Sequence, residues 1–119
     1  LIGYSIMALK ALEAAKQLEK NGIDAEVIDL RTLRPLDEEA IIKSVRKTNR
    51  AVVVEEGWSY AGVASEVMAV ISDKAWDDLD APVKRVSGVD TPLPYAANLE
   101  KLALPQPEHI VKAAKEICY

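Results

Sequence analysis

Cysteine and histidine each occur once in this chain, as Cys118 and His109. A single cysteine excludes a disulfide framework and points to a reducing, cytosolic compartment, or to a mitochondrial matrix if the source is eukaryotic. Cys118 shares a helical pattern with Ile110, Ala114 and Ile117, which makes it a packing residue of a last turn rather than a reactive thiol. A lone histidine leaves no metal-ligand spacing. No serine or cysteine in a strained turn accompanies His109 to form a nucleophilic triad. No apolar run approaches the roughly 20 residues of a membrane-spanning helix. The opening LIGYSIMALK has neither the charged leader nor the cleavage site of a secretory signal. Net charge is −4 with both signs interspersed, and without a basic stripe a nucleic-acid surface is excluded.

What is present is one domain's worth of chain. Half of the 119 residues are hydrophobic, and a chain of that length buries roughly two thirds of its unfolded surface in one core. Strand and helix patterns alternate. Leu1 to Tyr4 reads as the end of a strand, so residues upstream are expected. Ile6 to Asn21 is helical, with Ala8, Ala11, Leu12, Ala15 and Leu18 on one face and Gly22 at its C-terminal cap. Ala25 to Leu30 is a strand. Asp37 caps a helix whose first turn holds Glu38 and Glu39 and whose end holds Arg46 and Lys47. Ala51 to Val54 is apolar on consecutive residues, as in a strand buried on both faces of a parallel sheet. Glu55 to Trp58 reads as a loop. Gly62 to Trp76 is a helix apolar on more than one face, one side for its own sheet and the other for a partner. Val83 to Val86 is a further strand, and Pro107 opens a final helix with Ile110, Ala113, Ala114 and Ile117 inward. Such alternation specifies a three-layer α/β/α sandwich with a mainly parallel, mixed sheet of about five strands, spanning residues 1–119 as one domain.

Between β-type and helical patterns near the end lie Pro92, Pro94, Pro105 and Pro107. Proline fixes φ and removes a donor, so this stretch reads as an extended wrapper lying on another surface. Ligands of open α/β sheets bind beyond the carboxyl ends of the strands. There the chain offers Asp29, Arg31, Glu55, Glu56 and Ser87 to Asp90. Glu55 and Glu56 point to opposite sides, so one is expected to cap the following loop or pair with an arginine and the other to face water. Gly57 and Gly62 precede a helix, a weak signal for an anion at its start. Trp58, Tyr60, Pro94 and Tyr95 form aromatic and proline-rich loops suited to contact. Val63 and Val67 join them as interface candidates on the two-sided helix.

Five segments carry a resemblance: LRTLRPLD (30–37), KTNRAVVVEEGW (47–58), GVASEV (62–67), LDAP (79–82) and GVDTPLPYAANLEKLALPQ (88–106). They resemble the C-terminal, transketolase-like domain of the pyruvate dehydrogenase beta-subunit family. These subunits belong to the thiamine-diphosphate-dependent first component of 2-oxoacid dehydrogenase complexes. The resemblance implies an enzyme that oxidatively decarboxylates pyruvate and passes the acetyl group to lipoyl. It also implies that the cofactor and its Mg are bound outside this chain, between an alpha subunit and the absent N-terminal half. No catalytic, cofactor or metal residue therefore carries over, and the domain alone should be inactive. What carries over is assembly into a heterotetramer with alpha subunits and a second beta subunit, and docking of the small basic subunit-binding domain of dihydrolipoyl acetyltransferase. Asp80 and the carboxylate of Tyr119, if that is the native end, would accept its Arg or Lys. Two other readings stand beside this one. The chain is the same domain of an acetoin, branched-chain or other transketolase-like enzyme, or it is a stand-alone α/β module binding an anion. A fragment freed of its partners is expected to self-associate, as a two-fold dimer.

Overall fold

A computed structural model describes residues 1–119. In chain order the elements are β1 (Ile2–Gly3), α1 (Ile6–Glu19), β2 (Ile28–Asp29), α2 (Glu38–Thr48), β3 (Val52–Trp58), α3 (Val63–Ala75), a 3-10 turn (Trp76–Asp78), β4 (Lys84–Gly88), α4 (Ala97–Ala103) and α5 (Pro107–Cys118). The sheet has four strands in the order β2-β1-β3-β4, against an expectation of about five, and every pairing is parallel.

β3 explains the layering. Val52 and Val54 pack with Met7, Ala11, Ala14 and Leu18 of α1 and with Ile110 and Ala114 of α5. Val53, one residue out of phase, packs with Ile41, Ile42 and Val45 of α2 and with Ala64, Val67 and Ile71 of α3. Alternation sends neighbouring side chains to opposite faces, so three successive valines demand helices on both. The second apolar side of α3 is therefore covered by α2 rather than by a partner.

The helix ends follow their sequence chemistry. The Asp37 carboxylate accepts the Ala40 N–H at 3.0 Å, and Asn49 closes α2 in the left-handed conformation with its N–H donating to Val45 O at 2.7 Å. Gly22 takes φ 78 in the turn after α1, where its freedom is needed. In α1 the buried stripe is Met7, Ala8, Ala11, Ala14 and Leu18, while Leu12 faces outward. The stripe assigned from sequence was rotated because apolar residues occupy more than one arc of this helix.

Two further differences concern the ends of apolar segments. β3 runs through Glu55–Trp58, which composition marks as a loop; Trp58 still pairs with Gly88 of β4, after an irregularity in register. The proline-rich stretch is not extended throughout. Its middle, Ala97–Ala103, is the helix α4, since the prolines flank rather than interrupt a run of good helix formers. Pro107 sits in the first turn of α5, where Gln106 and His109 cap each other: the Gln106 N–H donates to His109 Nδ1 at 3.1 Å.

Ile110 is fully buried and Leu102 on α4 is 73% exposed. Ile110→Ala should cost about 2–5 kcal/mol and Leu102→Ala under about 0.5 kcal/mol, read by urea unfolding.

Candidate functional site

Strand order reverses between β1 and β3, the place where an open α/β sheet usually receives a ligand. Here Glu55 of β3 occupies it. The residue is 1% exposed, and its Oε2 accepts the backbone N–H of Ala64 at 3.0 Å, in the first turn of α3. Its Oε1 is buried without a partner. A Cβ on Gly62 would lie within 2.7 Å of the Glu55 carboxyl, so a larger residue there would have to displace that carboxyl from its place. The start of α3 is thus already occupied from within: the Ala64 N–H is taken by the Glu55 carboxyl, whose side chain fills the space against Gly62. That removes the support for an anion site at Gly62. Glu56 points outward to water, as alternation requires. Burial, with Glu55 and Glu56 adding to it, raises the Tyr4 hydroxyl above its usual pKa. Arg85 fixes the loop beyond by donating to Ser59 O and Ser65 Oγ, each at 2.8 Å.

Around this carboxyl edge the aromatic candidates are open. Trp58 is half exposed and donates from Nε1 to Thr91 O at 3.1 Å; Tyr60 and Tyr95 are exposed almost completely. Pro94 and Val63 are half-buried. Val67 is not available to a partner: it is 0% exposed, inside the cluster that joins α2, α3 and the sheet. Two exposed groups escaped the sequence reading, Leu93, Leu99 and Leu102 around α4, and Ile6, Leu9 and Leu12 on α1. The three-residue spacing on α1 was the available signal. Lys10 joins the two regions by donating to Pro105 O at 2.6 Å.

Asp80 and Tyr119 lie at the other end of the strands. The Asp80 N–H donates to Asn49 O at 2.8 Å, and Asn49 Nδ2 donates to Asp78 O at 2.8 Å. Arg50 then reaches both candidates' surroundings: Nε donates to Ile117 O at 2.7 Å, and Nη1 stands 3.4 Å from Asp80 Oδ2. Tyr119 is exposed, with its hydroxyl donating to Asn21 O at 3.4 Å. A cavity of about 360 Å³ opens beside Arg50 and Tyr119, lined by Leu18, Ile23, Glu26 and Ile117 among others. Residues 39 apart in sequence therefore share one edge. The aromatic set is at the opposite end of β3, roughly 20 Å away for a strand of that length.

A family model for the transketolase C-terminal domain matches residues 1–110. The chain belongs to that family. The pyruvate dehydrogenase E1 component subunit beta of Rickettsia felis is 52% identical over 119 residues, all of this chain and 36% of that protein. The mitochondrial beta-1 subunit of the same component from Arabidopsis thaliana is 53% identical over 119 residues, 33% of its length. A solved structure described as a split-gene transketolase in an inactive beta4 tetramer superposes with a TM-score of 0.85 at 32% identity, covering 98% of this chain and 37% of that one. The chain thus spans about a third of the length of the curated relatives it matches. As a transketolase C-terminal domain it agrees with the resemblance drawn from its motifs, down to relatives named for pyruvate dehydrogenase.

Within this transketolase C-terminal domain, Gly62→Ala should cost about 1–3 kcal/mol by overpacking, whereas Gly57→Ala, where an added Cβ meets nothing within 4 Å, should be close to neutral in urea unfolding. Ser44 Oγ donates to Glu26 at 2.6 Å and Lys47 Nζ at 3.0 Å. The Ser44 bond first, then Lys47, lowers the Glu26 pKa below the ordinary carboxylate value. A depressed carboxyl stabilises the fold above its unfolded pKa and loses that contribution as pH falls through the folded one. Glu26→Gln should therefore cost about 1 kcal/mol at neutral pH, reduced by solvent around a side chain that is partly exposed. The difference should vanish in acid, as measured by unfolding across pH 2 to 7.

Proposed function

We propose that the chain is the assembly and docking domain of the beta subunit of a thiamine-diphosphate-dependent pyruvate dehydrogenase. In this reading the whole enzyme oxidatively decarboxylates pyruvate and transfers the acetyl group to lipoyl. The domain contributes subunit association and acyltransferase docking rather than chemistry. Association uses the carboxyl edge, where Trp58, Tyr60, Pro94 and Tyr95 offer aromatic and rigid contacts beside the half-buried Val63. Its partners there are the alpha subunit and a second beta subunit. Docking uses the other edge, where Asp80 and the end of α5 at Tyr119 would receive the basic subunit-binding domain of dihydrolipoyl acetyltransferase.

The observation that carries the docking reading is that Arg50 contacts both the Asp80 carboxylate and the last turn of α5, which brings two sequence-distant acceptors to one exposed edge. Thiamine diphosphate does not fit the residues at the switch point. The buried Glu55 carboxyl already fills the start of α3; in this reading the cofactor and its Mg are held by other parts of the enzyme.

Titration calorimetry of the assembled component with the isolated subunit-binding domain tests the reading. Binding should weaken with added salt, and Asp80→Ala should weaken it about tenfold or more, as loss of one interfacial charge partner does. Unchanged affinity in that variant, with the fold intact, would remove Asp80 from the docking surface.

A further inference from the structure

We infer that Arg50 is a positioning residue for the docking edge: it holds Asp80 and the end of α5 in one frame while leaving the Asp80 carboxylate free for a partner's cation. The inference rests on the docking reading above. Besides Glu26 with Lys47, three acids toward this edge have internal cations, and the three pairs differ. Arg46 Nε stands 3.2 Å from Asp78, Lys84 Nζ stands 3.1 Å from Glu116, and Arg50 Nη1 stands 3.4 Å from Asp80. The Asp80 side chain is 58% exposed, against 37% for Asp78 and 45% for Glu116.

Arg50 is committed elsewhere. Its short bond, 2.7 Å, runs from Nε to the carbonyl of Ile117, one of the acceptors left without a helical partner at the end of α5. The guanidinium is a rigid planar fork, so fixing Nε fixes where Nη1 points. The remaining contact with Asp80 is the longest of the three and lies in solvent, where such a pair is weak. From the other side the Asp80 N–H is held by Asn49 O, and Asn49 Nδ2 holds Asp78 O. The backbone of Asp80 is thus fastened, its carboxylate is oriented by a weakly bound cation, and its open oxygen positions face water. A partner's guanidinium would take the open oxygen positions of Asp80 beside the Arg50 contact, in a charge-assisted pair.

A double-mutant cycle on the assembled component, titrated with the basic subunit-binding domain, tests the inference. Hydrogen exchange on the same proteins runs beside it. Arg50→Ala should weaken binding about fivefold to tenfold and should add less than about twofold in an Asp80→Ala background, since the two act through one contact. Arg50→Lys keeps the charge but not the fork, and should remain at least about threefold weaker than wild type. Exchange should quicken at the Asp80 amide and in the last turn of α5 in both Arg50 variants, with the rest of the domain unchanged. Binding as tight as wild type or tighter in Arg50→Ala would make Arg50 a bystander or a competitor and would overturn the inference. So would a loss that persists undiminished on top of Asp80→Ala. If the wild type itself fails to bind, the docking reading falls separately. Exchange then decides the holding role: quickened exchange at Asp80 and the end of α5 sustains it, and unchanged exchange ends it.

Discussion

Val52, Val53 and Val54 must leave water on both faces of the sheet at once, and the layers of the domain answer that demand. α1 and α5 cover the face of Val52 and Val54, and α2 and α3 cover the face of Val53. Each valine brings roughly 1.5–3 kcal/mol when fully buried, so the central strand cannot tolerate losing either layer. The same constraint sets the strand order. β1 and β4 flank β3; the chain moves one way from β1 to β2 and the other way from β2 to β3 and β4, so right-handed connections put α1 on one face and α2 and α3 on the other.

Continuing β3 past its valines delivers Glu55 to the one place in this fold where ligands are normally received. The carboxyl is nearly inaccessible, takes an N–H from the start of α3, and lies where a Cβ at position 62 would stand. A buried carboxyl with a single bonded oxygen is costly, and the Ala64 N–H offsets part of that cost. The consequence is functional. A domain whose switch point is filled from within has its exposed chemistry at its rims, aromatic at the carboxyl end of the sheet and charged at the amino end.

Much of this was legible in the residues. Asp37 before Glu38 and Glu39 marks a helix start, and the Asp37 side chain caps it. Pro107 opens α5, whose predicted inward residues are all buried. The split behaviour of Glu55 and Glu56 follows from period-two alternation alone. Other features were misread for identifiable reasons. The acidic and glycine content of Glu55–Trp58 looks like a loop, yet β4 pairs with its end. The prolines around α4 mask a helix that begins and ends between them. Val67 was read as facing a partner because a helix buried on two sides does not say which neighbour covers the second; α2 does.

By itself the sequence determined the alternation of strands and helices, the doubly buried central strand, the helix caps and, through its motifs, the family. These depend on neighbours within a few residues, or on patterns that periodicity exposes. Only the tertiary structure decided which side of α3 is free, that Glu55 and Gly62 fill the switch point, and that Arg50 brings Asp80 and the end of α5 to a single edge. Each of those is a contact between distant segments, such as the pair Arg50 and Ile117 separated by 67 residues. No local pattern encodes a contact of that kind, because it exists only once the layers have packed.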